Sequence, residues 1–148
     1  MTDLETTETS LTVRRTFDAP RERVFRAFAD PDELEQWYAP GDMTAEVHEL
    51  GPEAGGRLSI SMLDDEGSHD AEGTFTEVVE NERLVHTWTW THTEEPVETV
   101  MTVEFHDVDG GTEVVLTHEG HPDAETVEQN AQGWTGVLEN LGEVLKAA

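Results

Sequence analysis

The chain has 148 residues, with 34 Asp and Glu against 8 Lys and Arg and no cysteine, which gives a formal net charge of −26. This length predicts one domain that can bury a core without disulfides or a structural metal. So few cations exclude the positive surface that nucleic acid or anionic lipid requires, and the absence of cysteine excludes a thiol nucleophile and a thiolate zinc site.

The first nine residues are rich in Thr and Glu and contain neither a basic stretch nor an apolar run. We therefore predict that residues 1–9 are a disordered acidic tail rather than a signal peptide, and that residues 10–148 form the folded domain. No apolar run reaches the roughly 20 residues of a membrane span. These features predict a cytoplasmic protein with no membrane partner.

The folded domain begins with alternating residues over Ser10–Phe17, a pattern that predicts a β-strand. Pro20 then suits the first turn of a short helix, where its missing N–H has no partner to lose. Asp30 followed by Pro31 is the start signal of a second helix, which we expect to run until Pro40. Two short helices are thus predicted after the first strand.

From residue 43 to residue 119 the apolar period changes to two, which is typical of antiparallel strands joined by tight turns. Six more strands are predicted, at Thr44–Leu50, Arg57–Leu63, Thr74–Val79, Leu84–Trp90, Val97–Phe105 and Thr112–His118. Together with the first strand they make about seven strands of one curved sheet.

The C-terminal segment returns to a helical period. Its apolar residues recur in steps of four and three, at Val127, Ala131, Trp134, Leu138, Leu141 and Leu145. Pro122 and Asp123 supply a start signal for this helix. Gly133, Gly136 and Gly142 lie inside it at a cost of about 1 kcal/mol each, and we expect close packing on the sheet to offset them.

These segments resemble the START-like, or helix-grip, superfamily, and within it the prokaryotic homologues of the activator of heat-shock-protein-90 ATPase. The resemblance covers Leu11 to Leu145 and rests on short pieces in a fixed order. They are Phe17-Asp18-Ala19-Pro20, Val24-Phe25, Asp30-Pro31, Trp37-Tyr38-Ala39-Pro40, Gly55-Gly56-Arg57, Gly73-Thr74-Phe75, Glu82-Arg83-Leu84-Val85 with Trp88, Gly110-Gly111-Thr112, Leu116-Thr117-His118-Glu119-Gly120 and Gly133-Trp134.

The resemblance implies an α+β helix-grip fold: a seven-stranded antiparallel sheet wrapped around the long C-terminal helix, with a cavity between them. The residue patterns lead to the same packing, because a period-two sheet and an amphipathic helix must bury their apolar faces on each other. The superfamily includes lipid and steroid carriers, polyketide cyclases, stress proteins and co-chaperone domains, so the fold by itself does not choose a function.

Eight residues are predicted to line the cavity and contact a ligand because they fall on the concave face of the sheet, at its mouth or on the last helix. They are Trp37, Tyr38, Met62, Phe75, His86, Trp88, Met101 and Trp134. For the tryptophans the alternative is a purely structural role in the core. His86 is the one candidate for a general acid or base, and the alternative for it is a hydrogen-bonded core histidine.

The segment His118-Glu119-Gly120-His121 invites comparison with a zinc motif, but its histidines are three apart across a turn instead of four apart on a helix. We predict no metal site, no cofactor and no catalytic residue.

We therefore predict a non-catalytic protein, monomeric or homodimeric, that binds a small apolar, aromatic or lipid-like molecule. A cyclase-like or hydrolytic enzyme acting in the cavity and a stress-related, co-chaperone-like module with a chaperone partner are the alternatives. A single lysine, Lys146, and acid spread along the whole chain further indicate adaptation to high salt, as in a halophilic archaeon.

Overall fold

The computed structural model describes residues 2–40, 42–91, 93 and 96–147. Within those ranges the chain forms eight strands and three helices in an α+β arrangement. In chain order they are β1 Thr2–Thr6, β2 Ser10–Phe17, α1 Arg21–Ala29, α2 Pro31–Leu34, β3 Thr44–Leu50, β4 Arg57–Asp64, β5 Gly67–Val79, β6 Arg83–Trp90, β7 Glu98–Val108, β8 Gly111–Glu119 and α3 Ala124–Ala147.

All eight strands belong to one curved antiparallel sheet with the order β1-β2-β8-β7-β6-β5-β4-β3. The predicted helix-grip architecture is confirmed, with one strand more than expected. The additional strand is β1, in which Leu4 pairs with Val13 of β2. The prediction of a disordered tail is therefore wrong for Thr2–Thr6: this polar segment gains its order from backbone pairing along the edge of β2, for which no apolar alternation is needed.

The two short helices close one end of the sheet. Asp30 caps α2 as predicted, since its carboxylate accepts hydrogen bonds from the backbone N–H groups of Asp32 and Glu33. The helix ends at Leu34, earlier than predicted, and turns carry the chain on to residue 40. The indole of Trp37 donates to the carbonyl of Ala27 at 3.2 Å, which fixes these turns against α1.

Helix α3 lies across the concave face and begins where Asp123 accepts hydrogen bonds from the backbone N–H and the hydroxyl of Thr126. Its apolar stripe is buried as predicted, from Val127 through Leu141. The helix approaches the sheet most closely at β2 and β1. Away from those strands, opposite β4, β5 and β6, space remains between helix and sheet.

In the part of the chain that the structure describes, no helix is long and apolar enough to cross a membrane.

Candidate functional site

A cavity of about 630 Å³ fills the space between the first half of α3 and one edge of the sheet, at the end of β4, the start of β5 and the end of β6. It is open on one side. Its lining residues come from the sheet, from α3 and from the turns that precede them. They are Pro40, Met43, Met62, Asp64, His69, Trp90, Thr93, Val97, Thr99, His121, Pro122, Thr126, Gln129, Asn130, Gly133, Trp134 and Val137.

The helical wall of the cavity is a stripe of α3 that adjoins the apolar core stripe. Thr126, Asn130, Gly133 and Val137 follow one another in steps of four, three and four, so they share one face of the helix. A Cβ atom placed on Gly133 would have no heavy atom of another residue within 4 Å. Gly133 thus faces open space, and the expectation that sheet packing offsets its cost is wrong at this position.

The sheet wall is built by residues that alternate on the concave face. Met62 and Asp64 are two residues apart on β4 and therefore point to the same side, and His69 pairs with Met62 across the ladder. The carboxylate of Asp64 lies 3.1 Å from Nε2 of His69 and also accepts the backbone N–H of Glu66. These two hydrogen bonds lower the pKa of Asp64, so its carboxylate is charged at neutral pH.

The indole of Trp90 connects the two walls. Its Nε1 donates to Oδ1 of Asn130 at 3.2 Å, and Nδ2 of Asn130 donates to the carbonyl of Thr126 one turn earlier on α3. The second interaction fixes the orientation of the amide. The side chain of Trp90 is thereby held between β6 and the helix, with part of its surface exposed.

A buried hydrogen-bond network lies directly behind the cavity wall. Nε1 of Trp134 donates to Nδ1 of His118 at 3.0 Å, and Nε2 of His118 lies 2.6 Å from the hydroxyl of Thr99. That hydroxyl donates in turn to the carbonyl of Trp88. Because Nδ1 accepts, the proton of a neutral His118 must reside on Nε2, and every member of this chain of contacts then has a partner.

The two most deeply buried histidines are held neutral. Burial, with smaller contributions from His121 and His86, lowers the pKa of His118 to about 2. Burial also lowers the pKa of His86 to about 4, against the opposing effect of its hydrogen bond to the carbonyl of Thr87. The same effect raises the pKa of Tyr38, which stays a neutral phenol. Neither histidine can supply a positive charge to a ligand near neutral pH.

The structure brings two of the eight predicted ligand residues, Met62 and Trp134, to the cavity surface. The other six, Trp37, Tyr38, Phe75, His86, Trp88 and Met101, are packed in the core away from it. Trp88 illustrates why, because its ring lies between Trp90 and Trp134 at centroid distances of 5.2 and 5.1 Å. The ring of His86 lies 5.1 Å from that of Phe75, in edge-to-face contact.

Most of the polar lining was not predicted from the sequence. Thr126, Gln129 and Asn130 form a polar stripe beside the apolar stripe of α3, and this spacing is the signal that could have identified them. Asp64 continues the inward face that Met62 defines on β4. His69 lies opposite Met62 because β5 begins at Gly67, earlier than the predicted start at Thr74.

His118 and His121 lie side by side with ring centroids 4.2 Å apart. Among the described residues, no three His, Cys, Asp or Glu side chains are grouped so that they could hold a metal ion. Two buried nitrogens of that same part of the chain, Nε1 of Trp88 and Nε2 of His121, have no hydrogen-bond partner. Both belong to rings in edge-to-face contact with a neighbour, Trp88 with Trp134 and His121 with His118.

A comparison with known proteins identifies the family that has this architecture. Residues 18–146 match the profile of the family described as Activator of Hsp90 ATPase homolog 1-like protein. The chain belongs to this family. The match spans the described structure from the end of β2 to the end of α3, and so includes every element that lines the cavity.

Solved structures agree with this family assignment. A protein from Chromobacterium violaceum is 28% identical, with a TM-score of 0.86, over 92% of this chain and 96% of that one. A protein named AHSA1 from Silicibacter pomeroyi is 24% identical, with a TM-score of 0.82, over 93% and 98% of the two chains. An Arthrobacter aurescens protein solved by NMR is 20% identical, with a TM-score of 0.86, over 99% and 92% of the two chains. At these identities the last two structures show the fold alone. No protein of curated function matches the sequence.

Members of this family have a fold that is consistent with ligand binding or with co-chaperone activity. The fold does not choose among functions, so the function must be inferred from the side chains around the cavity.

Proposed function

We propose that this protein binds a small, mainly apolar molecule in the cavity between α3 and strands β4, β5 and β6. The observation that carries the proposal is the open space in front of Gly133 and Trp134, where a helix that packs tightly elsewhere stands away from the sheet. The volume of about 630 Å³ lies within the range of about 300–1,000 Å³ that is typical of small-molecule sites.

The lining suits a molecule with an apolar body and one polar end. Met43, Met62, Trp134 and Val137 provide apolar surface, while Thr126, Gln129 and Asn130 provide hydrogen-bonding groups along one wall. Sites for small molecules combine these two kinds of surface, since the apolar part gives affinity and the few polar groups orient the ligand. The protein then acts as a carrier or sensor of that molecule.

The two alternatives have less support. The enzyme hypothesis rested on His86, and His86 lies in the core beside Phe75 instead of at the cavity. A co-chaperone-like module would need a contiguous exposed apolar patch. The large apolar side chains that are exposed in the described ranges are distributed over several elements, namely Leu4 on β1, Val79 on β5, Val97 before β7, and Val100 and Val108 on β7.

The test is to find a bound molecule and then to exclude it. Native mass spectrometry and solvent extraction of the purified protein should detect a co-purifying small molecule. The variant Gly133→Leu should lose it, because the new side chain projects from the cavity face of α3 into the open space. Gly133→Ala adds only a methyl group at the same position and should retain binding.

If both variants and the native chain carry no ligand and bind no apolar probe, the proposal fails. If Gly133→Leu retains full binding while folding normally, the ligand is located elsewhere and the assignment to this cavity fails.

We further propose that the protein works at high salt. Pairing one acid with each Lys or Arg would leave 34 − 8 = 26 carboxylates without such a partner, and their mutual repulsion is screened only at high ionic strength. The midpoint of thermal unfolding should rise steadily between dilute buffer and multimolar KCl. A midpoint that stays constant or falls would contradict salt adaptation and would leave the ligand-binding proposal untouched.

A further inference from the structure

We propose that the ligand of this cavity is an amphipathic organic cation, with its ammonium group at Asp64 and its apolar or aromatic body against Trp90 and Trp134. This inference rests on the proposed function, since it names the chemical class of the molecule in that cavity. Two independent observations lead to it: the sign of the charge on the lining and the position of the two indole rings.

The lining holds a carboxylate and no Lys or Arg. Asp64 is the one acidic side chain among the described lining residues, where the other titratable groups are His69 and His121. The residues outside the described ranges, at positions 1, 41, 92, 94, 95 and 148, include no Lys or Arg either. A ligand carboxylate or phosphate would find no Lys or Arg in this cavity, whereas an ammonium group would find a carboxylate at Asp64.

The cations of the chain are located away from the cavity. Arg57 and Arg83 stand at the starts of β4 and β6, whereas the cavity is formed by the far ends of these strands. Lys146 is in the last turn of α3, about 20 Å along the helix axis from Gly133 at 1.5 Å per residue. The net charge of −26 also disfavours an anionic ligand at long range when the ionic strength is low, an effect that salt screens.

The register of the sheet fixes the layout of the site. Ile60 of β4, Ala71 of β5 and Trp90 of β6 lie in one cross-strand row, and Asp64 lies four residues further along β4. Standard strand spacing then separates the main chains of Asp64 and Trp90 by roughly 16 Å. Both side chains point into the cavity, so a ligand that reaches both must be elongated, with its charge at one end.

The indole rings of Trp90 and Trp134 form the apolar end. Both line the cavity, and both pack against the intervening ring of Trp88 with edge-to-face geometry. Hydrogen bonds fix both indole nitrogens, Trp90 to Asn130 and Trp134 to His118. Rigid, electron-rich ring surfaces of this kind favour aromatic and cationic groups over anions.

The test uses three probes that differ only in charge: a naphthalene with a two-carbon chain that ends in an ammonium, a hydroxyl or a carboxylate group. Binding is measured by calorimetry and by naphthalene fluorescence, at low and at high KCl concentration. We expect the ammonium probe to bind most tightly and the carboxylate probe at least about tenfold more weakly.

Asp64→Asn should lower the affinity for the ammonium probe by about fivefold, as expected for a partly exposed ion pair. It should leave the affinity for the hydroxyl probe nearly unchanged. The control is Asp65→Asn, which removes the same charge one residue away, at an exposed position outside the lining. It should change neither probe measurably. Unfolding midpoints of both variants establish that each is folded.

Carboxylate binding as tight as ammonium binding would overturn the inference while supporting the proposed function. The same holds if Asp64→Asn and Asp65→Asn have equal effects on the ammonium probe, or if Asp64→Asn weakens all three probes alike. If none of the probes binds to the folded native chain, the inference is overturned, and the proposed function fails as well if no molecule co-purifies with the chain.

Discussion

The interior of the sheet divides into two regions, one filled and one open. Near β7 the space beneath α1 is filled by rings: Phe105 lies 5.3 Å from Phe25 and 5.2 Å from Phe28, and Phe28 lies 4.6 Å from Trp37. Near β4, β5 and β6, helix α3 presents Asn130 and Gly133 to open space. Filled space gives stability and open space gives room for a ligand, so substitutions should act differently in the two regions.

The sharpest contrast is between two tryptophans two residues apart on β6. Trp88 is completely buried among rings, so Trp88→Ala should destabilise the fold by about 4 kcal/mol through the cavity that it leaves. Trp90 is partly exposed on the open side, so Trp90→Ala should lower the free energy of unfolding clearly less than Trp88→Ala does. Chemical denaturation at constant high KCl measures both. Equal losses would show that the cavity wall is as tightly packed as the core.

Gly73 tests the closeness of packing between β5 and β6. A Cβ atom at this position would lie 1.9 Å from the carbonyl oxygen of Thr87 and 2.9 Å from its carbon, both of which are backbone. Gly73→Ala should therefore force the strands apart and cost about 3 kcal/mol. The free energy of unfolding measures the effect, and a loss well below 1 kcal/mol would contradict this strand geometry.

The buried histidines make the filled region sensitive to acid. In the unfolded chain a histidine has a pKa near 6.5. In the folded chain burial lowers the pKa of His86 to about 4 and that of His118 to about 2. Below pH 6.5 the unfolded chain binds more protons than the folded chain does. The stability that the two neutral histidines contribute is therefore fully present above pH 6.5 and is lost as the pH falls below it. Each histidine should lower the free energy of unfolding by about 1.4 kcal/mol per pH unit, or about 2 kcal/mol at pH 5.

The measurement compares unfolding at pH 7 and pH 5 for the native chain and for His86→Gln and His118→Gln. Taking the difference between native chain and variant cancels the general effect of acid on the many carboxylates. Each variant should show a slope that is shallower by the contribution of one histidine. Identical slopes in all three proteins would mean that these histidines accept protons in the folded state.

The same division explains which features the sequence could predict. Alternation placed Leu84, His86 and Trp88 on the inner face of β6, and helical spacing identified the buried stripe of α3, because each pattern reports which side of an element is covered. Neither pattern reports the distance between an element and the element that covers it. Trp88 and Trp134 both point inward, but only Trp134 reaches the cavity, because the distance between helix and sheet is a property of the tertiary arrangement. Strand β1 escaped detection for a related reason, since it depends on its partner strand and not on its own side chains.

The smallest expected effect is at Gly133. The open region should tolerate an added methyl group there, whereas the close packing at Gly73 should not. Gly133→Ala meets no neighbouring atom and removes the conformational cost of glycine in a helix, so it should stabilise the protein by about 1 kcal/mol. The comparison within the same helix is Gly142→Ala, whose Cβ would lie 3.1 Å from the guanidinium of Arg15 and should give a smaller gain. Thermal unfolding should show Gly133→Ala melting about 2–4 °C above the native chain. Destabilisation by this single methyl group would mean that α3 lies closer to the sheet at Gly133 than a ligand-binding cavity requires. The two regions would then be packed alike at Gly133, where the ligand-binding proposal needs open space.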